Sequence, residues 1–430
     1  MERFISDGRL PNFKKFRSES EVFRTIATES PPYLEPWIQW VTVHTGLDYD
    51  EHQLFHLNEG HKLSAARIWD VVSQHGKDSL VFGSMNVNNQ SGFKGWILPD
   101  PWCTEVAASD DLKDFFKFIQ ANVSEYSNDK VPLTRTDYLK TIGFLLRRGI
   151  SASTVFRIAA QLIEDRGGRF RWKRATLLDQ LMLDVFRWYW DKKRPVFASF
   201  FANSTAHFQH SYWRNMEPDR FDVKPTNPKP DEYENAIAFG YEQMDELLGR
   251  FVRLAGESAT IIFSTAISQQ PCLKYETQGG AFFHRLRDPQ AFLKFTEIKD
   301  CTGIAPVMTH QMHLDFPTEK SAETAARILQ GFCYENQPLL QVQREGTRLF
   351  AGCRIYRCVD LDGEIVNHEL QLKAPMRRFF YRMDTNKSGM HHPEGMFWIH
   401  RPRGCFRESV DPIPLAKTYG MVLESMNINA

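Results

Sequence analysis

The sequence predicts an α/β fold: a helix-covered, three-layer α/β/α sheet that carries two inserted segments. Strands alternate with helices in the first third of the chain, and short buried strand-like runs recur later between long helical segments. At 430 residues and 42% hydrophobic content, the chain can form one large α/β domain with insertions. The 53 basic and 53 acidic residues balance, so we expect neither nucleic acid nor an anionic membrane as a partner.

The first part of the core is predicted to span residues 1–106. Val22–Ala27 is a β-prone run, and a helix is expected from Glu35–Pro36 to His44 because proline is tolerated in the first turn. Ser64–Gln74 has the apolar stripe of a helix, and Ser79–Ser84 follows as a buried strand.

A helical insertion is predicted at residues 107–194, where the pattern changes from alternating strands and helices to helices alone. The period of the apolar residues indicates helices at 110–126, 134–148, 151–164 and 171–191. None of them carries obvious chemistry, so the apolar stripes are interpreted as packing surfaces.

The core is predicted to continue through 195–274, with strands at 196–201 and 259–264 on either side of a long helix at 231–255. Residues 275–387 are mixed α+β and are interpreted as a lid or second insertion. Residues 388–430 return to the core through a strand at 395–400 and close it with a helix at 413–425.

Cysteine usage and the absence of long apolar runs point to the cytoplasm. The seven cysteines are scattered, odd in number and without a CxxC pair, so reduced thiols are expected. No apolar run approaches the roughly 20 residues of a membrane span. The first residues show no apolar signal core.

Two histidine pairs lie next to strand-like segments far apart in the sequence. His207 and His210 follow the apolar run that begins at Pro195, and His391 and His392 precede a Met-Phe-Trp strand. Open α/β sheets bind ligands at strand ends, so the pairs suggest one polar centre for a metal ion or an oxyanion. The alternative for each histidine is an ordinary surface or hydrogen-bonded core residue.

A series of short segments, taken in order, resembles the alkaline phosphatase superfamily, and most closely its type I phosphodiesterase/nucleotide pyrophosphatase branch. The segments lie at 8–13 (GRLPNF), 31–46, 84–87 with 95–101, 203–207, 262–266 and 389–392. The resemblance covers core segments and leaves both insertions unexplained. It implies the superfamily's sheet and a two-zinc hydrolysis, in which one metal activates a hydroxyl nucleophile and the other holds the phosphoryl oxygens.

The chain departs from this family at several positions that carry its chemistry. The family has an aspartate on a strand before the segment at 8–13; this strand is missing from the sequence, which begins at Met1, so either the start is mis-set or truncated or the protein does without the strand. Glu35 stands at the nucleophile position, Asn203 replaces an aspartate ligand, and Thr265–Ala266 replaces an Asp-His pair.

The resemblance and these losses together imply a reduced metal centre, with one zinc ion or none. The metal ligands it implies are His207 and His391 or His392, with Asn203 as a weaker third. Glu35 or His210 could serve as a further ligand.

Catalytic and substrate-binding roles are expected at five positions. Glu35 is either a simple first-turn or capping acid or a functional group, of which a general base is the preferred form. His210 shares a helix face with His207 if the segment is helical, and is expected to be catalytic. Asn86 could donate to a bound oxyanion or simply stabilise a turn. Thr265 and Gln269 lie near or in a polar loop that could line a substrate pocket.

The function predicted on this basis is a divergent, metal-dependent hydrolase acting on a small phosphate mono- or diester or a sulfate ester. A non-catalytic relative that binds an anionic or carbohydrate ligand in the old cleft is the alternative. Group transfer with Glu35 as the base is a third. The sequence leaves the oligomeric state open.

Overall fold

Helices and strands are interleaved along this chain, whose structure is a computed structural model that describes residues 1–103, 106–124, 134–166, 170–227, 229–307, 310–383 and 386–428. The helices are α1 (Glu2–Ser6), α2 (Pro11–Ser18), α3 (Pro36–Thr45), α4 (Tyr49–His52), α5 (Ile68–Gln74), α6 (Lys113–Ser124), α7 (Arg135–Arg147), α8 (Ala152–Glu164), α9 (Ala175–Lys193), α10 (Ser204–Met216), α11 (Ala236–Ala255), α12 (Pro289–Phe295), α13 (Glu319–Gln330) and α14 (Lys417–Glu424). Within these ranges, no helix is long and apolar enough to cross a membrane.

The strands confirm the α/β class predicted from the sequence. They are β1 (Glu21–Ile26), β2 (Ser79–Phe82), β3 (Gly95–Leu98), β4 (Phe197–Phe200), β5 (Ile261–Thr265), β6 (Ser268–Pro271), β7 (His284–Leu286), β8 (Gly303–Pro306), β9 (Gln311–Asp315), β10 (Phe332–Tyr334), β11 (Gln337–Pro338), β12 (Leu340–Glu345), β13 (Arg348–Cys353), β14 (Glu364–Asn367), β15 (Leu372–Pro375), β16 (Phe380–Arg382), β17 (Gly389–His392), β18 (Glu394–His400), β19 (Arg407–Glu408) and β20 (Ile413–Pro414).

The core strands form two hydrogen-bonded sheets in the described structure, where the alternating pattern predicted one parallel sheet. β2 pairs in parallel with β3 and β4, but β1 pairs antiparallel with β18, and β18 pairs antiparallel with β5. The β2–β3 connection (residues 83–94) contains no helix, and β4 follows only after the helical insertion, so neither parallel pair is joined by a single short helical crossover. β1 and β18 are far apart in sequence, so local alternation does not determine their relative direction.

Five predicted helices begin later than the sequence pattern indicated: 3-10 turns precede α6, α9 and α11, and α5 and α14 differ for other reasons. α5 begins at Ile68, because Arg67 is extended, its N–H donates to the Asp70 carboxylate and its buried guanidinium donates to the carbonyl of Gly60. The closing helix begins at Lys417, because Ile413–Pro414 pairs with β1 as an edge strand. The predicted end of the first insertion helix, residues 125–126, lies outside the described residues.

The helical insertion packs on the parallel sheet and shares its core, whereas the predicted lid has a core of its own. Phe82 of β2 meets Phe186 of α9 edge to face, with ring centroids 5.6 Å apart. Phe115 of α6 stacks on Phe144 of α7 at 5.3 Å. The lid's apolar cluster is built separately from α12, α13 and the strands around them. The division of the chain at 106, 194, 274 and 387 stays a prediction.

Gly395 is the position where the β1–β18–β5 sheet tolerates no side chain. A Cβ atom there would lie 2.2 Å from the carbonyl oxygen of Thr265 and 2.6 Å from Oγ1 of Thr25. We expect Gly395→Ala to lower the free energy of unfolding by about 3 kcal/mol, because both neighbours are fixed in strands.

Chemical denaturation of the variant checks this prediction against Gly420→Ala as a matched control. Gly420 lies inside α14 with nothing within 4 Å of an added Cβ, so that change should stabilise by about 0.5–1 kcal/mol. Equal stability of Gly395→Ala and the parent protein would contradict the packing described for this sheet.

Candidate active site

A large cavity, about 2490 Å³ in volume, brings together most of the residues singled out in the sequence. It lies between the core strands, α10 and the strands that close the chain. The predicted site residues that line it are Glu35, Asn203, His207, His210, Thr265, Gln269 and His391. Asn86 and His392 are not among its lining residues.

Glu35 occupies the residue before α3, and Pro36 opens the helix. Its backbone carbonyl accepts the first helical hydrogen bonds, from Ile38 and Gln39, but its carboxylate makes no capping hydrogen bond in the described structure. The carboxylate turns instead toward His391, with Oε2 3.3 Å from Nδ1 of the imidazole. A residue whose position resembles a simple cap therefore presents its acid to the cavity.

Burial changes the proton affinity of this acid–imidazole pair. It raises the pKa of Glu35 to about 7, an effect partly opposed by the positive charge of Lys387. It also holds the pKa of His391 well below its usual value, with His210 and Lys387 acting in the same direction. Near neutral pH, Glu35 thus exchanges a proton readily beside an uncharged imidazole, which is the property a general base needs.

His210 is the second imidazole beside His391, and its hydrogen bonds determine its tautomer. The two rings meet edge to face with centroids 5.0 Å apart. Nδ1 of His210 lies 3.2 Å from the carbonyl oxygen of Gly389 and therefore carries the proton. Nε2 then accepts from the side-chain amide of Gln269 at 3.1 Å. Burial lowers the pKa of His210 to about 4, so the ring is neutral at pH 7.

A two-stranded ribbon beside α10 positions these groups. β6 and β17 pair antiparallel, with Gln269 opposite His391 and Ser268 opposite His392. The Gln269 amide donates both to His210 and to the carbonyl of Ala206 on α10, at 3.1 and 3.3 Å. Its oxygen is buried and has no hydrogen-bond partner in the described structure.

We expect Gln269→Leu to let the His210 ring populate both tautomers, because it removes a neutral hydrogen bond worth about 1 kcal/mol that fixes the ring. Nitrogen-15 NMR of the imidazole provides the direct measurement. The parent protein should show the Nδ1–H tautomer of His210 from pH 8 down to about pH 5. A mixed-tautomer signal in the parent protein would contradict the described geometry.

Lys387 is a site residue that sequence reasoning missed. It lines the cavity, and its positive charge acts on Glu35, His210 and His391 together. Its backbone is held by hydrogen bonds to Ala281 and from the buried guanidinium of Arg214. The only sequence signal for Lys387 was its position four residues before His391. A single lysine in a polar loop matches no known motif, so it was not selected.

Asp179 is a second missed group, on the cavity side of α9. Its carboxylate accepts from the Ser204 hydroxyl at 2.5 Å, and burial raises its pKa to about 7. The sequence pattern marked α9 as a packing helix, and a single aspartate within an apolar stripe gave no reason to assign it a role. Asp179 therefore adds a second titratable acid to the cavity wall.

Two predicted residues face local backbone groups and not the acid–imidazole pair. The Asn86 amide donates to the carbonyls of Trp37 and His56, and its oxygen accepts from the N–H of Glu59. Asn86 thus acts as a turn residue at positive φ. Nδ1 of His392 accepts from the N–H of Glu394 at 3.2 Å.

Three other predicted residues line the cavity, but in the described structure none of them forms a hydrogen bond or ion pair with Glu35. α10 confirms that the segment of His207 is helical, and the imidazole of His207 is exposed within the cavity. Asn203 precedes α10 without capping it. The hydroxyl of Thr265 accepts from the N–H of Met396 and so ties β5 to β18.

The donor set does not fit the zinc centre that was expected from His207, His391, His392 and Asn203. Within the described residues, no group of three or more His, Cys, Asp or Glu side chains could hold a metal ion. Adjacent strand residues point to opposite faces of a ribbon, which separates the imidazoles of His391 and His392. A catalytic zinc site usually has three protein ligands, and the described residues do not bring three such side chains together.

Comparison with known proteins identifies similar structures only. No protein-family model and no curated protein matches the sequence. The structure is similar to murine ectonucleotide pyrophosphatase/phosphodiesterase 5, with 11% identity, a TM-score of 0.42, and coverage of 98% of this chain and 91% of that chain. It is also similar to phosphonoacetate hydrolase from Sinorhizobium meliloti 1021, with 12% identity, a TM-score of 0.42, and coverage of 99% and 91%.

Proposed function

We propose that this chain is a hydrolase of small phosphate or sulfate esters that uses Glu35 as its general base. The observation that supports this most is the acid–imidazole pair in a large cavity: Glu35 lies 3.3 Å from His391 and has a pKa raised to about 7. A base with a pKa near the working pH is the most effective at removing a proton from water.

The proposed reaction is a single displacement by water. Deprotonated Glu35 takes a proton from the water as its oxygen attacks phosphorus or sulfur. The bond to the ester oxygen breaks, and the leaving oxygen takes the proton back from Glu35 or from solvent. His391 orients the carboxylate, and His210 and Gln269 hold the ribbon that carries His391.

Lys387 supplies the positive charge that such a reaction needs. The substrate and the transition state are both anionic, and a cation in a partly enclosed cavity stabilises the negative charge that develops. Its influence on Glu35, His210 and His391 supports a position close to all three. We propose that Lys387, which lines the cavity, holds the non-bridging oxygens of the ester.

The cytoplasm is the proposed location, and a small anionic molecule the proposed ligand. All seven cysteines are free thiols, as expected where glutathione keeps proteins reduced. A metal centre reduced to one ion or none is part of this proposal, and the displacement itself is carried by Glu35, Lys387 and the imidazoles.

The test is turnover of aryl phosphodiester, phosphomonoester and sulfate substrates by the purified chain, with its metal content measured on the same sample. Hydrolysis that is lost in Glu35→Gln and retained after dialysis against a chelator would support the proposal. Ligand-induced thermal stabilisation without turnover would instead favour the non-catalytic binding protein. Activity that requires added zinc and survives Glu35→Gln would overturn the assigned base.

A further inference from the structure

Two helices of the insertion, α7 and α8, turn their apolar sides toward solvent. On α7 the exposed residues are Tyr138, Leu139, Ile142 and Leu146, and on α8 they are Val155, Phe156, Leu162 and Ile163. Leu139 is 70% exposed and Phe156 is 75% exposed. On each helix these positions recur with the spacing of one helix face, so they form stripes and are not scattered.

α8 differs from an ordinary surface helix, because both of its buried residues are polar. Thr154 and Gln161 are buried, and the Gln161 amide donates to the carbonyl of Phe170. Asp165, just after the helix, is buried and paired with Arg174. On such a helix the polar residues are buried with hydrogen-bond partners and the apolar stripe is exposed to solvent. The exposed stripe is therefore suited to contact with another apolar surface.

The turn between the helices is fixed to the body of the protein, so the stripes are held in place. Asp184 of α9 accepts from the N–H and the hydroxyl of Ser151, at 2.9 and 3.0 Å. The Arg148 guanidinium lies 4.0 Å from the ring centroid of Trp188 and pairs with Asp111. The exposed surface is therefore a defined part of the fold.

Positive charges lie at the ends of the stripes. Arg135 begins α7 on the same face as Leu139 and Ile142, and Arg166 follows α8 three residues after Ile163. Both are exposed, as is Arg147 at the end of α7, and within the described structure none of the three has an acidic partner. The neighbouring acids are already paired: Asp137 with Lys117 and Glu164 with Lys173.

We propose that the α7–α8 surface docks on an anionic lipid bilayer. Amphipathic helices bind the bilayer interface with Phe and Leu in the acyl region and Arg or Lys at the headgroups. The charges favour this occupant over a second copy of the chain, because a self-complementary contact would bring unpaired arginines together without acids to meet them. The equal numbers of acidic and basic residues in the whole chain predicted no membrane partner, but a net charge does not show how charges are distributed over one surface.

Flotation with phosphatidylcholine vesicles, with and without phosphatidylserine, tests the proposal on the full chain. The parent protein should float with the phosphatidylserine vesicles, and Leu139→Glu with Phe156→Glu should lower the bound fraction at least about tenfold. Arg135→Ala with Arg166→Ala should lower binding about fivefold for each charge, and added salt should act in the same direction.

Val410→Glu is the matched control, because Val410 is 85% exposed but lies outside the insertion. It should float like the parent protein. Every variant should keep the parent melting temperature, since the exchanged side chains face solvent. Failure of the parent protein to float, or unchanged flotation of the Leu139→Glu, Phe156→Glu variant, would overturn the proposal. Self-association without flotation, abolished by the same pair of changes, would assign the surface to a second copy and overturn it equally.

Discussion

Glu35→Gln should lower kcat for ester hydrolysis by about 10²–10⁴-fold, because the amide cannot accept the proton of the attacking water. The parent enzyme should lose activity as the pH falls through about 7, where Glu35 becomes protonated. In the variant, the residual rate should lack this limb of the pH profile. A pH–rate profile of kcat/KM for both proteins provides the measurement.

The pH dependence of folding stability provides a second measurement of the Glu35 carboxyl group, and the direction of the effect follows from its pKa shift. Folding raises the pKa of Glu35 from 4.5 to about 7, so the folded state binds its proton more tightly than the unfolded state. Its stabilising contribution is therefore complete below pH 4.5 and is lost as the pH rises through about 7. Glu35→Gln should gain melting temperature relative to the parent protein over that interval. The gain will be modest, because 35% of the Glu35 side chain is exposed.

Glu35→Asp serves as the control, since it keeps the acid but withdraws it from His391. It should keep a pH-dependent limb at reduced kcat. A Glu35→Gln enzyme with parental kcat and an unchanged pH profile would show that another group removes the proton.

Lys387→Met should lower kcat/KM for anionic substrates by about 10²–10³-fold, the loss typical of removing one preorganised group that stabilises an oxyanion. The same change should move the acidic limb of the pH profile upward, because Lys387 lowers the pKa of Glu35 and its removal takes away that opposition to burial. Steady-state kinetics across pH measure both effects in one experiment.

Lys373→Met is the matched control for this lysine. Lys373 also belongs to the predicted lid, but it is 69% exposed and pairs with Glu364 away from the cavity. It should leave kcat/KM and the pH profile unchanged. If Lys387→Met lowered kcat/KM but left the midpoint of the pH profile unchanged, the positive charge of Lys387 would act on the substrate and not on the pKa of Glu35.

Local patterns were sufficient for most elements of the fold and insufficient for the pairing of its strands. The apolar period of 134–148 and 151–164 predicted α7 and α8 within one or two residues at each end. It could not show which side of α8 is buried, because that depends on the polar partners at Phe170 and Arg174. The antiparallel contact of β1 with β18 likewise depends on tertiary structure.

In the candidate site, too, some residues could be identified from the local sequence and others only from the tertiary structure. Glu35, His210 and His391 were candidates from their neighbourhoods in the sequence, and the structure places the three together. Lys387 was missed because its role arises only when its loop meets Glu35. His207 was favoured over His210 as a ligand because the resemblance emphasised it, whereas the turn of α10 directs His210 to His391.

The distance along the chain between Glu35 and His391 has a consequence for biosynthesis. The acid emerges from the ribosome early, but the ribbon of β6 and β17 that holds its imidazole partner cannot pair until residue 392 has been made. Nascent chains that stop short of that point lack the acid–imidazole pair. Premature termination anywhere upstream should therefore produce fragments in which Glu35 lacks its His391 partner.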